Sequence, residues 1–100
     1  MKNIELNEVY TLKLTSGEEV ISKIIAVDDD TLTLSEPLSV APGPQGMGLM
    51  PSMFTAEKDK PVTLNTRAVT MYCETADPIR IKYIEATTGI TTASKKIVLG

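Results

Sequence analysis

Apolar and polar residues alternate along much of the chain. Tyr10, Leu12 and Leu14 alternate with Thr11 and Lys13, the period-two pattern of a half-buried strand. Thr15-Ser16-Gly17-Glu18 follows with turn chemistry, and Gly17 is free to take a positive φ. From Val20 to Val27 the chain is apolar on both parities: Val20, Ile24 and Ala26 on one, Ile21, Ile25 and Val27 on the other. That pattern predicts a strand buried on both faces, or one bent so that each face meets core at a different point. Asp28-Asp29-Asp30 makes a polar turn, and Thr31-Leu32-Thr33-Leu34-Ser35 resumes clean alternation.

The alternation breaks over residues 41–60. Ala41-Pro42-Gly43-Pro44-Gln45-Gly46 resists regular structure. Met47, Leu49, Met50, Met53 and Phe54 then make an apolar stretch interrupted by Gly48 and Pro51, ending in the charged Glu57-Lys58-Asp59-Lys60. The pattern predicts a loop of roughly twenty residues between strands three and four, long enough to suggest a role. Strand patterning returns afterwards. Val62 and Leu64 face inward on even positions, Val69, Met71 and Cys73 on odd ones, so a bulge or sharp bend is expected near Asn65-Thr66. Ala76-Asp77-Pro78 reads as a short turn, and Ile79, Ile81 and Tyr83 alternate with Arg80 and Lys82 as a further strand. The tail, residues 86–100, takes no assignment. No segment shows helical periodicity and no internal repeat is present. The expected fold is mainly all-β: one domain over residues 1–100, built as a small, strongly bent, five-stranded, closed or nearly closed barrel.

Composition narrows the chemistry. The chain has 100 residues, one Cys, no His and no Trp. One cysteine cannot form an internal disulfide, and the usual Cys/His zinc sites and His-based catalytic machinery are excluded. Ten basic against thirteen acidic residues give a net charge of −3, without the basic excess of a nonspecific duplex binder. No apolar run approaches the roughly 18–20 residues of a membrane span, and Met1-Lys2-Asn3-Ile4-Glu5 lacks the apolar core of a secretory signal. A cytoplasmic protein without cofactor, metal or membrane partner is expected, and it is not expected to be an enzyme.

The stretch from Val9 to Leu34 resembles the first signature motif of the Sm and LSm proteins. Gly17 stands at the motif's glycine, Val20 at the apolar position three on, Ile24 and Asp28 at the later spacing. Ser22 replaces a second glycine, and Thr33 stands where the family's uracil-contacting Asn stands. The apolar-Arg-Gly triplet of the second motif falls at roughly Tyr72-Cys73-Glu74. As a whole the chain is similar to the small Sm-like proteins encoded by marine tailed phages, through residues 14–20, the Gly/Met/Pro segment 43–54, and Tyr83 with Thr87-Thr88-Gly89-Ile90. The resemblance implies a bent five-stranded barrel, assembly into a homo-oligomeric ring of roughly five to seven subunits by edge-strand pairing, and, if the chain is phage-encoded, a host cytoplasm.

The candidate residues each have two readings. Asp30 and Thr33 would line the ring's inner loop in the Sm-like reading; otherwise they are a solvated turn and an outward strand Thr. Asp28, Asp29 and Asp30 together more simply make a soluble turn than a cation site. Arg80 and Lys82, with Tyr72 or Tyr83, offer charge and a stacking ring to single-stranded nucleic acid; otherwise they belong to a solvated sheet face. Met47, Leu49, Met50, Met53 and Phe54 are a partner-docking surface or a flap over the barrel end. Cys73, on the inward parity, reads as a small buried hydrophobe. The expected function is therefore an Sm-like ring that binds single-stranded nucleic acid, above all RNA, in RNA or DNA processing. The alternative is a structural or adaptor ring that binds a protein partner through residues 47–54.

Overall fold

The computed structural model describes residues 1–89. They form one six-stranded antiparallel sheet and one helix, so the fold is mainly β. Strand β1 (Glu8–Leu14) pairs with β2 (Glu19–Val27) around the tight turn in which Gly17 adopts φ 91°, a conformation that favours glycine. β3 (Thr31–Gly43) returns along β2 after the two-residue turn at Asp29-Asp30, with the Asp28 N–H donating to the Thr31 carbonyl at 2.9 Å.

The far edge of β3 carries two partners in succession. β4 (Gly46–Pro51) pairs with its C-terminal half, from Gly43↔Gly46 to Leu38↔Pro51. β5 (Val62–Asn65) pairs with its N-terminal end, from Leu34↔Val62 to Thr31↔Asn65. Both run antiparallel to β3, so β4 and β5 act as one long strand interrupted by residues 52–61. Between the halves, Glu36 takes φ 57°, a left-handed kink that L-residues seldom adopt. A 3₁₀ turn (Thr66–Ala68) then leads into β6 (Val69–Glu74), which pairs with β1. This turn sits where the parity change between Leu64 and Val69 demands a bend. The sheet order is β4-β3-β2-β1-β6, with β5 beside β3. Among the described residues no ladder joins β6 to β4 or β5, which leaves an open backbone edge on each side of the sheet.

Two expectations are corrected. Residues 41–60 are not one loop: residues 41–51 belong to the β3–β4 hairpin, and irregular chain is confined to 52–61. Prolines and glycines are tolerated there because β2 reaches β3 only as far as Val20↔Ser39. Beyond that pair Pro42 has a strand neighbour on one side only, where a missing N–H costs no ladder bond on the open side. The second correction is that Ile79, Ile81 and Tyr83 lie on a helix, α1 (Asp77–Thr88), instead of a strand. Pro78 in its first turn and Gly89 at its C-cap, with φ 75°, are the start and stop signals. Residues 86–88 of the tail thus close α1, and residues 90–100 lie outside the described residues.

α1 explains the two-sided apolar pattern of β2. One face of the curled sheet buries Tyr10, Leu12, Ile24, Leu32 and Leu34, with Leu64, Val62, Val69, Met1 and Ile4 packed around them. The opposite face buries Val9 and Ile21 against Tyr83 of α1, flanked by Leu38, Val40, Leu49, Ile79 and Ile84. β2 is therefore core on both sides, and its ladder with β3 slips at Ile21/Lys23 and again at Ile24/Ala26. Ser22, fully buried at the first slip, places its hydroxyl 2.9 Å from the Lys23 carbonyl and 3.0 Å from the Ser35 carbonyl. A hydroxyl there keeps buried carbonyls satisfied where the regular ladder cannot.

Candidate functional site

The helix covers only part of the outer sheet face. On β1, Thr11 points away from the core that takes Tyr10 and Leu12, and its pair partners Ile21 and Cys73 share that side. α1 stands at one end of this row and the β3–β4 hairpin at another. Between them lies an open trough of about 510 Å³, floored by Ile21, Val40, Leu49, Ile79 and Met47, with Cys73 at its β6 side. Glu19, Glu74 and Lys82 stand among its lining residues. A second hollow of about 340 Å³ continues it along β1 and β6 past Lys13 to Met71, sharing Thr11, Glu19 and Cys73. Sequence reasoning did not single out Thr11, Glu19, Ile21 and Ile79 as a set. The available signals were the odd-position residues of β1 and β2 and the helix start at Pro78.

Cys73 is exposed, contrary to the buried hydrophobe its parity suggested. Val69 packs on the inner core, but the β1–β6 register shifts between Lys13 and Leu14, so Met71 and Cys73 share the outer side, and α1 stops short of covering it. Met71, on the same side, is 64% exposed.

The sequence candidates fall into separate places. Met47 and Leu49 line the trough, whereas Met53 and Phe54 line a different hollow of about 230 Å³ with Glu36, Pro37 and Leu38. Met50, exposed on β4, lies on the opposite parity from Met47 and Leu49. Lys82 lines the trough, but Arg80 does not: it lies on another side of α1 and its Nε donates to the Asp77 carboxylate at 3.3 Å. Two residues apart on a helix, the two cations diverge by about 200°, so the shared strand face expected for Arg80 and Lys82 does not exist.

Asp30 and Thr33 are brought beside a second turn. The Asp30 carbonyl accepts from the Thr66 N–H at 2.9 Å, and Thr33 pairs with Thr63 on β5. Asn65 accepts from the Arg67 N–H at 3.0 Å and fixes that turn. Asp28, Asp29 and Asp30 line an open hollow of about 640 Å³ with Met1, Val27 and Thr31.

All three tyrosine hydroxyls are committed to backbone. Tyr72 accepts from the Lys2 N–H at 2.9 Å and donates to the Lys2 carbonyl at 3.0 Å. Tyr10 accepts from the Glu5 N–H at 2.9 Å. Tyr83 donates to the Ser35 carbonyl at 2.6 Å and accepts from the Lys23 N–H at 3.1 Å. Burial pushes the Tyr83 phenol above its ordinary pKa, opposed by the hydrogen bonds with Lys23 and Ser22 and reinforced by Glu36. Tyr72 remains partly open, so the exposed ring area rests on Tyr72 and on Phe54, which is 77% exposed.

No protein-family model matches the chain, and no curated protein matches it. Among solved structures, the chain is similar to one in the crystal structure of the NatC complex bound to CoA, with a TM-score of 0.50 and 15% identity, over 88% of this chain and 100% of that one. Likeness at this identity speaks to the fold alone. Among the described residues no helix is long and apolar enough to cross a membrane.

Proposed function

We propose that the protein is an Sm-like, self-assembling scaffold that works by binding instead of catalysis. In this reading the bent sheet is the Sm-like barrel, left open in the single chain. Copies join head to tail, the β6 edge of one against the β4/β5 edge of the next, and close into a ring of roughly five to seven. The ring then serves as an adaptor for a protein partner. The observation that carries the reading is the pair of open sheet edges. Among the described residues no strand pairs with the outer side of either edge, and the β6 edge also exposes Met71 and Cys73. Unprotected edges of this kind pair with another chain unless something blocks them. Sedimentation velocity tests it. The unmodified protein is expected as a closed oligomer and the Met71→Lys variant, which puts a charge on the edge, as a monomer. A stable dilute monomer of the unmodified protein overturns the reading.

A second reading, single-stranded RNA bound on the ring, is supported by the junction of the 28–30 and 65–68 turns through Asp30 and Thr66. It gathers Thr33, Asp30 and Arg67 in one region, with Arg67 as a phosphate contact. Three carboxylates stand there against one guanidinium, which favours the adaptor reading. Anisotropy of a labelled oligouridylate separates the two. RNA binding would weaken with salt and weaken further in Arg67→Ala, and absence of binding at low salt leaves the adaptor alone.

A further inference from the structure

We propose that residues 95–99 of the same chain dock in the trough between α1, the β3–β4 hairpin and the β1/β6 face. The trough is built for an occupant that is apolar with a basic end. Ile21, Val40, Leu49 and Ile79 line the trough, and its charged lining residues are Glu19, Glu74 and Lys82, two carboxylates against one ammonium. Neither carboxylate has an ion-pair partner among the described residues, where the one ion pair joins Asp77 and Arg80. The chain beyond α1 supplies matching chemistry: Lys95-Lys96 followed by Ile97-Val98-Leu99. Apolar side chains gain by leaving water for such a floor, and the two lysines complement the two glutamates.

The reach is sufficient. Ile79, which lines the trough, lies ten residues before Gly89 along the helix, about 15 Å by helical rise. The six residue steps from Gly89 to Lys95 span up to about 20 Å when extended. The trough lies on the sheet face and ring assembly uses the sheet edges, so this docking does not rest on the ring.

Cys73 reports on the trough, because it is the single cysteine, lies exposed and lines it. The experiment is the rate of iodoacetamide alkylation of Cys73 in the full chain at fixed pH, read by mass spectrometry at several protein concentrations. The unmodified protein is expected to react slowly, at a rate independent of its concentration. Ile97→Asp/Leu99→Asp is expected to raise the rate about tenfold, as for a trough covered about nine-tenths of the time. Lys95→Glu/Lys96→Glu is expected to raise it as well. Far-ultraviolet circular dichroism of each variant, matched to that of the unmodified protein, checks that the fold is kept. Unchanged rates in both variants overturn the proposal. Protection that grows with protein concentration and is the same in both variants as in the unmodified protein overturns it too, because a second copy is then the cover; that outcome leaves ring assembly standing.

Discussion

Removing one oxygen from Tyr83 should destabilise this protein well beyond the effect of a surface change. The Tyr83 hydroxyl sits at the slip in the β2–β3 ladder, donating to the Ser35 carbonyl at 2.6 Å and accepting from the Lys23 N–H at 3.1 Å. Tyr83→Phe keeps the ring that packs on Val9 and Ile21, so no large cavity forms. The Ser35 carbonyl retains the Ser22 hydroxyl at 3.0 Å. The Lys23 N–H loses its bond to the ring hydroxyl; a buried donor left unsatisfied costs about 1–3 kcal/mol, with up to about 1 kcal/mol more for the lost bond to Ser35. A total of about 1–4 kcal/mol lowers the melting temperature of a domain this size by roughly 5–30 °C. Urea unfolding followed by circular dichroism measures the loss, and hydrogen exchange should show the Lys23 amide deprotected. A loss under about 0.5 kcal/mol would refute the reasoning, since that is the range of featureless surface changes.

The same residue sets a pH dependence. Burial raises the folded-state pKa of Tyr83 above the ordinary tyrosine value. Below that ordinary value, about 10, both states keep the proton and the contribution is constant. Above it the unfolded chain ionises first, so stability falls as pH rises toward the folded-state pKa. Tyr83→Phe lacks this term, and the stability gap between the two proteins should narrow above about pH 10.

Three further outcomes follow from local geometry. Gly17→Ala meets no atom within 4 Å but must hold φ 91°, so chemical denaturation should show a loss of about 1 kcal/mol despite the open space. Leu12→Ala, at a position with no exposure, should cost about 2–5 kcal/mol in the same assay, and a smaller loss would mean that the sheet collapses onto the site. Arg80→Ala removes an exposed ion pair to Asp77 and should change stability by less than about 0.5 kcal/mol.

What the sequence by itself determined is what a period of two determines. Tyr10 and Leu12, then Leu32 and Leu34, declare strands and the face that is buried, because neighbouring side chains on a strand point to opposite sides. The apolar run from Val20 to Val27 announces a strand with core on both sides, and the parity change between Leu64 and Val69 announces a bend. Alternation cannot say what lies on either side of a strand. Ile79 and Tyr83 are two steps of two apart and also one helical turn apart, so the same letters suit both structures. Burial of Tyr83 against Val9 and Ile21, with Pro78 to start the helix, decides for helix. The Pro/Gly segment reads as loop until β2 is seen to end beside Ser39, leaving an edge where proline costs nothing. Cys73 and Met71 keep their shared side, but only the extent of α1 decides that this side is open. The trough is a product of that tertiary choice: a helix long enough to cover Ile21 and too short to cover the face beside it.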